Sequence, residues 1–522
     1  MTQRISRRDA LKLSGGTVGA LALGWRGTIA AAPGDSARSP WNGAGDWNRL
    51  DPPYPLTQHD RMFTSLRPFY PGEALGKHEM RISFMGTSVI ERRSQVRSSV
   101  FVELGNGETF VFDAGSGVVS NYVAMGVPWS RMRKIFLTHL HGDHTSDLTH
   151  IYCFGPQGDG KSPLYIWGPS RSGIPNPDFG KPSDQYINPE YYEDGTLDFV
   201  RHFRAMNRWH TESQSFIGTR WRAGDGGPEA EGDGYDIYAT ELDWRDGASA
   251  YWSTNTSLNP GNRWFASGNW IAYETPEVRV SFFPAIHDRN GSLAYKLEWK
   301  TEGLSMIFTG DSKPSDLLIS NATNGSKPVD VIVSEIVVDP DIWVSRQTGW
   351  TDPTTKEFQA GMVNAEAVQE NSHTPQKAFG YMMERMRIAG KPPRLAVGTH
   401  FQSSDDTILM AMDAIRSKYR GWVHIATDLT VVNVTRNALE IRRAVVSDYS
   451  WSANWWDPRQ VNGTFPPKYH DLSECNPYRP SAPLKQFSPE LLAHVIPGCV
   501  YDPTGWQCEN LQAAVTCPTA VK

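Results

Sequence analysis

Lys134-Ile135-Phe136-Leu137-Thr138-His139-Leu140-His141-Gly142-Asp143-His144-Thr145-Ser146-Asp147 is the stretch from which the rest of the chain is read. An apolar run, Ile135 to Leu137, has the character of a buried strand, and His139, His141, Asp143 and His144 follow it on a glycine-containing turn that leads toward a helix. Imidazole and carboxylate are the nitrogen and oxygen donors that zinc and similar divalent ions accept. Four of them in six positions can converge without ordering distant chain, and the strand behind them supplies a rigid base.

The β-α pattern on either side extends this arrangement. Upstream, Met80 to Phe84, Ser99 to Leu104 and Thr109 to Phe112 have strand character, with Gly105-Asn106-Gly107 as a hairpin turn. Asp113 then ends a strand shortly before the histidine loop, where a turn-capping Asp is one reading. Downstream, short β-rich runs are each followed by a candidate donor: Glu277 to Phe283 by His287, Ser305 to Phe308 by Asp311, Arg394 to Val397 by His400. Strand ends along one sheet edge can meet in space although separated by 260 or so residues, so one constellation can be assembled from these distant points. Two helices are legible in this half. One has Thr374 as its N-cap, Pro375 at its first position, a stripe of Ala378, Phe379, Met382, Met383 and Met386, and a stop at Gly390. The other starts at Ser404 with Ile408, Leu409, Met412 and Ile415 on its apolar face and runs to Gly421. The methionines read as core.

Outside this region the chain changes character. Ser6-Arg7-Arg8-Asp9-Ala10-Leu11-Lys12, an apolar run from Leu13 to Trp25 and Ala30-Ala31-Ala32 resemble a twin-arginine export signal over residues 1–32, too short and glycine-rich to span a bilayer stably. Residues 33–77 read as an N-terminal arm, and a catalytic domain as residues 78–445. Within it, residues 172–276 lose regular pattern and carry many tryptophans. This insertion reads as a subdomain or a lid, its tryptophans more as its own core than as a pocket wall. Residues 446–522 form a tail in which Cys475, Cys499, Cys508 and Cys517 suggest two disulfides in any of three connectivities, while Cys153 reads as a buried small apolar residue. The 522 residues, 39% of them apolar, can bury a large core, and a formal charge of −6 without a basic stripe argues against a stable nucleic-acid partner.

Taken together, the His-x-His-x-Asp-His string resembles the signature of the metallo-beta-lactamase superfamily. Gly86-Thr87-Ser88, Phe112 to Gly115, Trp167 to Ser170, Thr309 to Pro314, Ser334-Glu335, Ser372-His373-Thr374 and Thr399-His400-Phe401 resemble, in order, its branch containing ribonuclease Z, an arylsulfatase type and a cyclic-nucleotide phosphodiesterase class. That resemblance implies an α/β fold, a four-layer αβ/βα sandwich, here with a large insertion and a disulfide-bearing tail. It implies that His139, His141 and His287 hold one divalent ion, that Asp143, His144 and His400 hold a second, that Asp311 bridges them, and that Asp113 supports the site from behind. The cofactor expectation is two divalent metal ions, zinc ahead of manganese or iron. His373 matches a family histidine at the leaving group and Glu335 the acid that orients it, so the catalytic set is His373, Glu335 and Asp143. A carboxylate would raise the His373 pKa and a helix N-terminus lower it.

The expectation is thus a dinuclear-metal hydrolase, periplasmic or secreted through the twin-arginine machinery, that cleaves a small-molecule anionic ester of phosphate or sulfate by attack of metal-bound hydroxide. It has no membrane span in the mature chain. A lactonase or carboxylic-ester hydrolase on the same site, and a non-catalytic metal-containing binding protein, are the alternatives.

Overall fold

The computed structural model describes residues 61–450, apart from 65–66, 161, 183–186, 215–216, 222–231 and 255–268, and the backbone of residues 499–502 and 505–508. The export signal, most of the N-terminal arm and nearly all of the tail lie outside the described residues.

Two sheets stack face to face. The first is built from β1 (Arg61–Thr64), β2 (Met80–Gly86), β3 (Ser99–Leu104), β4 (Thr109–Phe112), β5 (Lys134–Phe136) and β6 (Leu164–Pro169). After a two-residue ladder of β7 (Arg220–Trp221) with β8 (Gly232–Asp233), β9 (Ile237–Leu242) and β10 (Ser249–Ser253) extend it. The second sheet takes β11 (Ile271–Glu274), β12 (Val278–Pro284), β13 (Leu293–Trp299), β14 (Leu304–Phe308), β15 (Val331–Glu335), β16 (Leu395–Thr399) and β17 (Val423–Ile425) in that order. The chain then returns through β18 (Thr430–Val434) and β19 (Ala438–Arg443), so the first sheet reads β1-β19-β18-β2-β3-β4-β5-β6-β9-β10.

Strand alternation sorts the apolar residues into three layers of contact. Phe110, Phe112, Phe136 and Trp167 from one sheet meet Tyr295, Phe308, Val333 and Val397 from the other in the central core. Val111, Ile135 and Ile166 point the opposite way, onto the helices Val118–Ala124, Leu148–Phe154 and Thr196–Met206. On the far side, Ile307, Ile332 and Ala396 pack on Phe379, Met382, Met383 and Met386 of helix Gln376–Ile388 and on Ala411 and Ile415 of helix Asp405–Arg416. Helix, sheet, sheet, helix is the four-layer α/β sandwich expected. No helix among the described residues is long and apolar enough to cross a membrane.

Three details differ from the sequence reading. Stretch 172–276 does not keep its tryptophans to a separate core: β9 pairs in parallel with β6, β11 pairs with β12, and Trp244 and Trp270 pack against the central core while Trp252 packs on the outer one. An exposed sheet edge is a ready hydrogen-bonding template, and this segment extends both edges. Thr374 is not an N-cap; Pro375 takes that position, and the Thr374 hydroxyl donates to Ser312 O at 2.5 Å. The helix from Ser404 ends at Arg416, earlier than Gly421.

Candidate metal centre

All the expected donors lie just past strand C-termini on one edge of the sandwich. His139, His141, Asp143 and His144 follow β5, His287 follows β12, Asp311 follows β14, Glu335 closes β15 and His400 follows β16. Parallel pairing of β14, β15 and β16 brings the last three side by side. The turns that deliver them are tight. Asp113 and His400 take positive φ values of 60° and 56°, conformations costing on the order of 1–3 kcal/mol that persist when their surroundings hold them. Gly310, at φ 57°, passes so close to Thr138 that a Cβ would fall 2.5 Å from the Thr138 Cβ.

His139, His141 and His287 form one group of donors, and Asp143, His144, Asp311 and His400 form another. In the first, His141 Nδ1 lies 3.1 Å from His139 Nε2 and 3.3 Å from His287 Nε2. In the second, Asp143 Oδ2 lies 3.4 Å from His400 Nε2 and 3.7 Å from His144 Nε2. Asp311 stands between the groups. Its Oδ1 is 3.3 Å from His144 Nε2, and its Oδ2 is 3.4 Å from His400 Nε2 and 4.0 Å from His287 Nε2.

Partners behind the donors orient them. Asp113 accepts from Thr138 N–H, Thr138 Oγ1–H and His144 Nδ1, at 2.8, 2.8 and 2.7 Å, which turns His144 Nε2 toward the centre. Because the Thr138 hydroxyl proton is committed to Asp113, its oxygen, 3.1 Å away, can accept from His139 Nδ1. Ser372 O accepts from His287 Nδ1 at 2.9 Å. Each of the three histidines thus presents Nε2 inward, the tautomer control that metal-ligating imidazoles require. Of these supports, sequence reading singled out only Asp113. Thr138, adjacent to His139, carried a local signal; the Ser372 carbonyl carried none.

Burial, followed by the charge of neighbouring His144, pushes His139 well below the ordinary histidine pKa, and burial likewise lowers His141 with His287 beside it. Both are neutral donors. Burial also opposes charge on His144, but Asp311 and Asp113 outweigh it and hold this imidazole well above its ordinary value. His400 is pushed up to about 10 by Asp311 and Asp143 against its burial. Among the described residues, buried His144 Nε2 and Asp311 Oδ1 nevertheless have no hydrogen-bond partner, which is how a polar pair stands when it is arranged for a cation. The donor set, neutral imidazoles and carboxylates with a shared Asp, fits two divalent ions.

His373 and Glu335 adjoin this centre, and together with Asp311 and His400 they form a third donor group. Glu335 Oε2 accepts from His373 Nδ1 at 2.7 Å and lies 3.6 Å from His400 Nδ1, while Oε1 accepts from Ser312 N at 2.5 Å. His373 also lies 3.9 Å from Asp311. The residue caps the C-terminus of helix Lys356–Ser372, two residues before the N-cap Pro375 of the next helix. Burial would lower its pKa, but the charge and hydrogen bond of Glu335 overcome this and raise it. The helix carbonyl end acts in the same direction.

Residues 93–152 match the model of the Metallo-beta-lactamase superfamily, a span that contains His139, His141, Asp143 and His144. Among proteins similar to this chain, a ribonuclease Z of Treponema denticola is 29% identical over 133 residues, 24% of this chain and 43% of the relative. A ribonuclease BN of Proteus mirabilis is 33% identical over 94 residues, 17% of this chain and 31% of the relative. The matched stretches span less than half the length of these curated relatives. The crystal structure of human tRNase Z, short form, aligns with a TM-score of 0.38 and 18% identity, covering 67% of this chain and 98% of that one.

Proposed function

We propose that this chain is a metallo-beta-lactamase superfamily enzyme, an exported, metal-dependent hydrolase of phosphodiesters. The observation that carries the reading is the Glu335–His373 pair, 2.7 Å apart, set against Asp311 and His400 at the edge of the metal centre. His139, His141 and His287 would hold one divalent ion, Asp143, His144 and His400 a second, with Asp311 shared. Ions held there generate a nucleophile from water at neutral pH and neutralise charge on an ester oxyanion.

The chain's own residues supply what remains. Asp113, Thr138 and Ser372 O set the imidazole tautomers. His373, with Nδ1 engaged by Glu335 and its pKa raised, has Nε2–H left to donate to a departing alkoxide or to the phosphoryl oxygens. A proton donor at the leaving oxygen is needed most where the leaving group is a poor one, as in an alkyl phosphodiester. Relatives named ribonuclease Z, and one named zinc phosphodiesterase ELAC protein 1 from Bos taurus, support phosphodiester over sulfate or carboxylic ester. The twin-arginine-like segment at Ser6 to Lys12 supports export.

The test is metal content by mass spectrometry of the processed protein, with rates on a phosphodiester, an aryl sulfate, a lactone and a precursor tRNA. About two metal equivalents and a dominant phosphodiester rate are expected. Retention of no metal, with no rate after zinc or manganese is restored, would overturn the reading. A dominant sulfate or lactone rate would keep the centre and replace the substrate.

A further inference from the structure

The loop between β2 and β3 carries charged side chains that none of the chemistry above employs. Arg97 Nη1 lies 3.6 Å from Asp143 Oδ2 and donates to Val89 O at 2.6 Å, while Nη2 lies 3.2 Å from Glu91 Oε2. The other Glu91 oxygen accepts a hydrogen bond from Ser116 Oγ. One guanidinium therefore reaches a carboxylate of the metal centre at one end and, at the other, a carboxylate whose side chain is 50% exposed.

Two of these three parts are rigid. Arg97 N donates to Ser116 O at 3.2 Å and Gly115 N to Ser98 O at 3.0 Å. A Cβ on Gly115 would fall 2.1 Å from Asp143 O and 2.8 Å from Arg97 Cβ, so the Asp113 turn, Arg97 and the histidine loop are locked in mutual contact. The β2–β3 loop is also strapped to the His400 turn. Phe401 N donates to Thr87 O at 2.8 Å, Gln95 Nε2 to Phe401 O at 3.0 Å and Arg92 to Ser403 O at 2.6 Å. The Glu91 carboxylate, by contrast, is exposed and held by an ion pair with Arg97 and a hydrogen bond from Ser116, and exposed ion pairs of this kind are weak.

A guanidinium fork beside a hydroxyl donor is the arrangement that recognises carboxylates and phosphates. Resting on the hydrolase reading above, we propose that Arg97 and Ser116 form a subsite for a second anionic group of the substrate, beyond the one at the scissile bond, and that the Glu91 carboxylate holds its place in this structure. The preferred substrate is then a diester that carries another oxyanion close to the scissile phosphate. Glu91 must swing away for it to bind.

The experiment uses full-length, metal-loaded protein and two p-nitrophenyl phosphodiesters that differ only in whether the second alcohol ends in a carboxylate or its methyl ester. Phosphonate versions of both serve for calorimetric binding. The wild type is expected to show a KM, and a Kd for the phosphonate, about tenfold or more lower for the charged member. Arg97→Met should bring that ratio to about one, Arg97→Lys should retain part of it, and Glu91→Gln should widen it about threefold or more. If Arg97 served only to support Asp143, Arg97→Met would lower kcat on both esters and leave the ratio standing, which overturns the proposal; so would a wild-type ratio near one. An Arg97-dependent binding ratio without turnover of either ester would sink the hydrolase reading and leave the subsite intact.

Discussion

At His373 the backbone changes from the end of one helix to the start of the next within three residues, and the side chain is pinned to Glu335 at 2.7 Å. Although burial opposes it, the Glu335 charge and hydrogen bond raise the imidazole's pKa, so the protonated form persists past the ordinary histidine range. A proton donor is lost as pH rises through its pKa. The alkaline limb of kcat/KM for an alkyl phosphodiester should therefore lie above the ordinary histidine value and move to lower pH in Glu335→Gln; a pH–rate profile of the two proteins checks this. His373→Ala should cost about 10²–10⁴-fold on an alkyl diester and much less on a nitrophenyl diester, whose leaving group needs no proton. Equal losses on both would show that His373 acts on binding or on the metal centre instead.

At the scale of elements, the two sheets are joined away from the metal centre by Lys134 at the start of β5. Its ammonium donates to Glu108 at 2.7 Å and to Tyr273 Oη of β11 at 2.9 Å, over the Phe110 ring at 4.8 Å. Burial lowers its pKa to about 8 despite Glu108. The native state thus binds fewer protons than the unfolded chain between pH 8 and the unfolded lysine value of about 10.4, and stability from this group rises with pH across that window. Urea midpoints at pH 7.5 and 10 should show this gain in the wild type and lose it in Lys134→Met. A second element-scale prediction concerns the tail, where β20 (Cys499–Asp502) and β21 (Gly505–Cys508) pair antiparallel with Cys499 directly opposite Cys508. We predict that a disulfide in this tail links Cys499 to Cys508, which this register sets opposite each other. Peptide mapping without reduction should find the Cys499–Cys508 link.

Across the whole molecule, the centre draws its donors from both sheets, with β5 on one and β12, β14 and β16 on the other. An ion bound there ties the halves of the sandwich together and stabilises only the folded chain. Chelation should lower the thermal midpoint, and restoring zinc or manganese should recover it; an unchanged midpoint would mean that the donors bind no ion strongly. Since Asp311 holds His144 charged against its burial, a proton and a metal ion compete for that nitrogen, and metal uptake should weaken as pH falls.

What the sequence determined by itself was the local pattern. Apolar and β-rich runs located β2, β3, β4, β5, β12, β14 and β16 to within two residues, because buried strands collect apolar, β-branched and aromatic side chains, and chemistry-bearing residues after those runs named His139, His141, Asp143, His144, His287, Asp311 and His400. Glu335 and His373 were legible through their surrounding motifs. The tertiary structure alone decided what depends on contacts between distant segments. It gave Thr138 and Ser372 O their orienting roles, placed Arg97 beside Asp143, and spread the 172–276 stretch along both sheet edges. The physical reason is that a carbonyl, a hydroxyl or an arginine has no periodicity of its own. Its role is set by which turn the packing brings within about 3 Å, and that distance exists only once the sheets have closed.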